Sequence, residues 1–291
     1  MNSINESPFV DLGSAITPYE LAKIIGLAPL VLLRSVGTVI IWLISTVVLY
    51  SPLDRRRWLE FMMSVWVRTV LGFQVTTLGL ANRTRAEKVN AVMVYNHVTF
   101  MDQFVICLHG LVSFTTIPQY AQIPIVGRFF RFTEAILFTP KSGATNMIVA
   151  RALDKKKRFS VCIAPEGALS NGKALMKFKT GAFVAKVPIL PILLRYPYRH
   201  FNPAWTIENP LVTLYRMLCQ FRIQAVIEYL PVVHPCADET PREFADRVRD
   251  TMARALQVPK VELDVLDKIE FSKRWGLSLW RDRLVARSLA H

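Results

Sequence analysis

His97 and Asp102 stand five residues apart immediately after a short β-rich run at residues 91–95 (AVMVY). A histidine at a strand end with a carboxylate in the first turn of the following helix is an arrangement that can do proton chemistry, because active residues collect at such turns. The Asp102 carboxylate can fold back towards the imidazole and orient one ring nitrogen. A neutral imidazole held in this way is a general base poised near pH 7, able to take a proton from an alcohol or thiol. The same residues admit a structural reading: Thr99, followed three residues later by Asp102, resembles a capping box, with His97 a satisfied loop residue. A second feature is APEGALSNG at residues 164–172, where Glu166 sits in a glycine-bearing turn beyond a strand, followed by Lys173, Lys177 and Lys179. A carboxylate can grip a hydroxyl, and lysines beside a turn rich in N–H groups can grip a phosphate; a solvated turn with a basic face is the alternative. The chain has no GxSxG, GxxxxGK[ST], GxGxxG or HExxH, so neither a serine nucleophile, a nucleotide cradle nor a metal is signalled. A base at His97 would therefore activate a hydroxyl that belongs to a substrate.

The elements that must position these groups alternate between strand and helix. Residues 91–95 and 159–164 (FSVCIA) read as strands, 104–112 as a buried helix, 187–194 as another apolar run, and 82–88 as a charged linker. Residues 221–233 alternate, with Phe221, Ile223, Ala225, Ile227 and Tyr229 on one face, which predicts a half-buried strand. Thr240, Pro241 and Glu243 predict a capped helix carrying Phe244, Val248, Met252 and Ala255 on its inner face. Strands interleaved with helices imply an α/β domain.

Upstream, residues 24–50 contain Arg34 as their only charge, with Pro29 in the first third. No basic leader precedes them, so a signal peptide is not expected. Residues 35–53 supply nineteen uncharged positions, close to the roughly 20 that a membrane span needs. One tilted span or a re-entrant hairpin both fit, with a buried helix of a soluble protein as the alternative. Arg55, Arg56 and Arg57 place the remainder on the cytosolic side. Residues 61–80, with Trp66, Val70 and Phe73 at helical spacing and Trp58 upstream, predict either an interfacial helix or one that packs on the domain. The chain of 291 residues is 52% hydrophobic and 20% charged, and its 36 basic against 22 acidic residues give a net charge of +14. Its mean hydropathy of +0.29 excludes a disordered polymer. The positive balance suits a polyanionic partner; because it accompanies apolar segments and no recognition motif, a membrane or phosphorylated ligand fits and nucleic acid does not. Four cysteines, with no CxxC pair, signal neither zinc nor a disulfide framework.

Taken together, four segments in order resemble the glycerophospholipid acyltransferases that carry an HX4D motif. His97 to Asp102 matches that motif; residues 127–141 (GRFFRFTEAILFTPK) match the glycerol-phosphate block; Glu166, Gly167 and Ser170 match the EGTxS-like block, with Ala168 in the threonine position; and VPILP at 187–191 matches the proline-centred block. SNGKALMKFKTGAF and LLRYP look most like the lysophosphatidylcholine and lysophosphatidylethanolamine branch. The resemblance implies an α/β acyltransferase domain with a central mixed sheet flanked by helices, preceded by an apolar membrane-embedded helical N-terminus. It divides the chain into a polar segment (1–23), membrane-embedded or interfacial helices (24–80), the catalytic domain (81–260) and a basic tail (261–291). It also implies transfer of an acyl chain from acyl-CoA to a lysophospholipid at a phospholipid membrane, with the endoplasmic reticulum as the default location and no cofactor or metal. Lysophosphatidate or glycerol 3-phosphate are the alternative acceptors, and a catalytically silent lipid-binding protein on the same fold is the other reading. His97 would be the base and Asp102 its orienting partner. Glu166, Gly167 and Ser170 would position the acceptor, Lys141 and Lys179 would lie near its phosphate, and Pro191 would shape the pocket wall.

Overall fold

The structure is a computed structural model that describes residues 7–10, 16–124, 126–138, 143–206 and 209–274. Its N-terminal helices are α1 (Pro18–Gly26), α2 (Ala28–Tyr50) and α3 (Arg55–Ser64), the last continuing into a π-helical turn, Val65–Val70. Then follow β1 (Phe73–Leu78), α4 (Leu80–Lys88), β2 (Val92–Tyr95), α5 (Asp102–Ile106), β3 (Ser113–Thr116), α6 (Pro118–Ala121), α7 (Val126–Phe132), β4 (Ile136–Leu137) and α8 (Ala144–Leu153). The remainder is β5 (Val161–Ile163), β6 (Ile189–Arg195), α9 (Pro210–Leu218), β7 (Ile223–Tyr229), α10 (Pro241–Leu256) and α11 (Val265–Arg274). The strands form one mixed seven-stranded sheet in the order β1-β7-β6-β2-β5-β3-β4. Neighbours are parallel except β6 and β7.

The strand sequences explain that layering. β2 (VMVY), β5 (VCI) and β6 (ILPILLR) are continuous apolar runs, as strands covered on both faces must be. Their side chains alternate between two cores. Met93, Tyr95, Leu190 and Ile192 join Trp42, Val105 and Phe129 on one side; Val92, Val94, Ile189 and Leu193 join Ile148, Phe244 and Val248 on the other. The predicted capping box holds α10 in place, with Thr240 Oγ1 accepting from Glu243 N and Glu243 Oε2 accepting from Thr240 N.

Four expectations change. Residues 104–112 are not one helix: α5 ends at Ile106, a 3-10 turn spans Cys107–His109, and Gly110 at φ 121° turns the chain into β3. The 82–88 linker lies in α4, whose Arg83 is buried and donates to Tyr229 Oη and Gly110 O. Residues 61–80 do not form one amphipathic helix, because Gly72 at φ 79° ends the helical run and β1 pairs with β7. Trp66 and Phe73 are consequently core residues, while Trp58 stays exposed. The sheet thus begins at Phe73, ahead of residue 81. Finally, the chain pauses at Leu27, and Pro29 occupies the first turn of α2, where its missing N–H is harmless.

Candidate active site

β2 ends at Tyr95, and the next side chain extends its ladder: Asn96 Nδ2 donates to Leu194 O while Leu194 N donates to Asn96 Oδ1. The amide imitates one more peptide pair, so His97 leaves the sheet at a fixed point. The turn that follows wraps around one carboxylate. Asp102 Oδ2 lies 2.8 Å from His97 Nδ1 and accepts from the amides of Val98 (2.7 Å) and Thr99 (3.1 Å). Asp102 Oδ1 accepts from Tyr196 Oη at 2.6 Å. Two amides and a phenol donating to this buried group define an ionised acceptor, so His97 Nδ1 carries the proton that it shares with Asp102. The imidazole then presents Nε2 as its basic nitrogen, and the side chain retains 16% exposure whereas Asp102 has none. The amide of Thr99 on Asp102 is also half of the capping pattern; the orienting and structural readings of this spacing are one geometry.

Glu166 lies behind the turn. Its Oε1 accepts from His97 N (2.8 Å) and its Oε2 from Met176 N (3.0 Å), and it is completely buried. Burial pushes its carboxyl up to about 8, against the pull of those two amides. Glu166 therefore faces the main chain of the His97 turn. Gly167 adopts φ 68°, a conformation that glycine takes without strain, and a Cβ there would lie 3.0 Å from Lys179 Cε. The lysine stem thus runs across the glycine, and Lys179 Nζ stands 5.9 Å from the Phe138 ring centre. Ser170 is buried; its amide donates to His97 O (3.0 Å) and its hydroxyl accepts from Gly172 N (3.3 Å). Ala168, where the resemblance expects threonine, is buried in an apolar cluster with Phe9, Met176 and Phe271. Pro191 lies opposite Val94 in β6, between the β6–β7 pair Ile192 with Tyr229 and the isolated bridge Ile189 with Val233; a proline lacking its N–H fits this irregular step in the ladder. Lys141 falls outside the described residues.

The structure thus brings His97, Asp102, Glu166, Gly167, Ser170 and Lys179 to the C-terminal ends of β2 and β5, the edge where parallel sheets place their chemistry. Sequence reasoning missed Asn96 and Tyr196. Both act through the pairing of β2 with β6, which no local spacing announces; the only signal was a polar residue ending each of two apolar strands. Tyr196 is buried, and desolvation together with the Asp102 charge holds its hydroxyl well above the usual phenol range, so it stays a donor. Among the described residues no group of three or more His, Cys, Asp or Glu side chains could hold a metal.

With that geometry in view, residues 75–195 match the family model described as Acyltransferase. That stretch carries an acyltransferase-family domain, and the curated proteins that the chain resembles are named lysophospholipid acyltransferases. It is 34% identical over 224 residues to Lysophospholipid acyltransferase LPCAT4 of Xenopus tropicalis, covering 73% of this chain and 43% of that one. It is 32% identical over 300 residues to Lysophosphatidylcholine acyltransferase of Drosophila melanogaster, covering 94% and 56%. Lysophospholipid acyltransferase LPEAT1 of Arabidopsis thaliana is 30% identical over 206 residues, covering 67% and 52%. The chain therefore spans about half the length of the curated relatives it matches. Among solved structures, the 1-acyl-sn-glycerophosphate (LPA) acyltransferase PlsC from Thermotoga maritima superposes with a TM-score of 0.62 over 81% of this chain and 96% of that one. At 18% identity that likeness shows the fold alone.

Proposed function

We propose that this chain transfers an acyl group from acyl-CoA to the free hydroxyl of a lysophospholipid, with lysophosphatidylcholine or lysophosphatidylethanolamine as the favoured acceptor. The observation that carries this reading is the His97–Asp102 pair, with Nδ1 committed to the carboxylate and the imidazole still partly exposed. In the reaction, Nε2 takes the proton of the acceptor hydroxyl as its oxygen attacks the thioester carbonyl carbon. The C–S bond breaks, the ester forms, and the departing thiolate receives the proton held on Nε2. Asp102 stabilises the imidazolium that forms between those two events. Glu166 contributes by holding the His97 main chain, and Gly167 and Ser170 carry the same loop past the acceptor site. Lys179 and Lys141 supply positive charge for the acceptor phosphate, and Pro191 forms the pocket wall.

Membrane association belongs to the same reading. α2 is 23 residues long and apolar enough to cross a bilayer by length and composition. Its inner stripe of Val31, Arg34, Trp42, Ser45 and Val48 is nevertheless buried from near its start to near its end, which supports a helix lying along the domain, in the plane of one leaflet, rather than one crossing alone. The cytosolic face of the endoplasmic reticulum, where acyl-CoA is available, is the location we propose. Acyl transfer from labelled acyl-CoA by purified protein, with lysophosphatidylcholine, lysophosphatidylethanolamine, lysophosphatidate and glycerol 3-phosphate as acceptors, tests the activity. Loss of at least a hundredfold in His97→Ala is expected; product that survives this substitution, or no product with any acceptor, refutes the reading.

A further inference from the structure

Three helices in this structure turn their charges inward, alongside apolar residues such as Trp42 and Met217, and leave other large aliphatic side chains outside. In α1, Glu20 is completely buried and pairs with Lys23 and with Arg216 of α9, while Tyr19, Leu21 and Ile25 face outward. In α2 the single charge, Arg34, turns inward and donates to Leu218 O and Gln220 O at the C-terminal end of α9, while Leu33, Ile40 and Val47 face outward. In α9, Thr213 and Arg216 are buried, whereas Leu211 is 71% exposed and Val212 and Leu214 are also exposed, with Phe221 64% exposed just beyond. The three helices touch through the polar cluster itself: Lys23 and Arg34 both reach Gln220, and Tyr215 Oη donates to Ile24 O. A helix on a water-facing surface does the opposite, presenting its charges outward and its leucines to the core. Charges gathered inside and aliphatic side chains outside are what hydrocarbon imposes, because an ionisable group in a membrane turns to the protein interior and finds partners there.

We propose that α9 and Phe221, more than 150 residues downstream of the N-terminal helices, form one lipid-embedded surface with the outer faces of α1 and α2, and that its occupant is the acyl region of a single bilayer leaflet. This inference rests on the membrane association proposed above and extends it to a segment of the catalytic half of the chain. Arg222, exposed immediately after Phe221, and the exposed Arg199 stand ready for lipid phosphates at the rim. A second copy of this chain would also cover apolar residues, but it would give no reason for all four charged side chains of three helices, Glu20, Lys23, Arg34 and Arg216, to point inward.

The test uses the full chain in a Cys236→Ser background, since Cys107, Cys162 and Cys219 are buried. An environment-sensitive NBD label is placed in separate Leu211→Cys and Val212→Cys variants, with Ile40→Cys on α2 and Leu153→Cys on exposed α8 for comparison. Each is bound to phosphatidylcholine vesicles containing lipids with nitroxides on the acyl chain. The proposal expects blue-shifted emission and strong quenching at 211, 212 and 40, and neither at 153. Quenching at 40 without quenching at 211 and 212 overturns the proposal while the membrane reading stands; absence of quenching at all three overturns both. Blue-shifted but unquenched labels at 211 and 212 show that protein covers α9, and this also overturns the proposal. As a measurement independent of labelling, Leu211→Ser/Val212→Ser is expected to weaken partitioning into vesicles about tenfold or more with the melting temperature in detergent unchanged. Unchanged partitioning refutes the proposal.

Discussion

Asp102 spends all its hydrogen-bonding capacity on one imidazole and the walls that hold it. Of its four donors, three come from the adjacent turn and one, Tyr196, from 94 residues away. The phenol withdraws charge from Oδ1 and fixes the carboxylate plane. Tyr196→Phe keeps the ring and removes only that bond, and the loss of a hydrogen bond to a charged group is about 2 kcal/mol. We expect kcat to fall about thirtyfold with KM for the lysophospholipid little changed, as steady-state kinetics on vesicles will show; a purely structural role would lower the melting temperature and leave kcat intact. His97 and Asp102 were legible from their spacing because a strand end and the next helical turn are neighbours in sequence. Glu166 was legible as a residue but not in its orientation, since its partners are main-chain amides of His97 and Met176. Tyr196 was not legible, because only the β2–β6 register brings it beneath the turn.

At the scale of elements, the edge of the sheet is held by a polar knot. His109, in the 3-10 turn, lies 2.9 Å from Thr77 Oγ1 of β1 and 3.0 Å from Tyr229 Oη of β7, and Arg83 of α4 reaches the same phenol. Burial first, then the charges of Arg83 and Arg68, lower the His109 pKa from 6.5 to about 4. Between those two values the unfolded chain binds more protons than the folded one. The stability contributed by neutral His109 is therefore fully present above about pH 6.5 and is lost as the pH falls through about 4. Melting curves from pH 7 to pH 4 are expected to show a steeper decline for the native chain than for His109→Gln, and parallel declines would contradict the assignment. After residue 91, β2, β5, β6, β7 and α10 could be read from apolar runs and from the Thr240 capping box, whereas β3, β4 and the helices α6 to α9 could not. Residues 61–80 could not, since helical spacing of Trp66, Val70 and Phe73 continues across Gly72, and only the long-range pairing of β1 with β7 converts its second half to strand.

For the molecule as a whole, the feature that organises everything outside the sheet is the junction of α1, α2 and α9. In the sequence Arg34 is an interruption in an otherwise apolar stretch; in the fold it is the fastening, with carbonyl partners more than 180 residues distant. Gly72 belongs to the same fastening, because a Cβ there would stand 2.6 Å from Arg34 Nη2 and 2.8 Å from Phe221 O. Arg34→Leu adds hydrophobicity to α2 but leaves the carbonyls at the end of α9 without their donor, at a cost of about 2 kcal/mol. The variant is expected to bind vesicles as well as the native chain and to melt several degrees lower, a pair of readings available from flotation and calorimetry; unchanged melting would mean that the junction adds nothing to stability.

The same junction bears on how such a protein can be rebuilt. An anchor that merely tethers a catalytic domain is interchangeable, and another hydrophobic helix of equal length could be spliced in its place. Here the partners of Glu20 and Arg34 lie on the opposite side of that splice, so a graft would leave Arg216 buried without its carboxylate and the end of α9 without its guanidinium. The N-terminal helices and the sheet domain have to be inherited, or engineered, as a single unit.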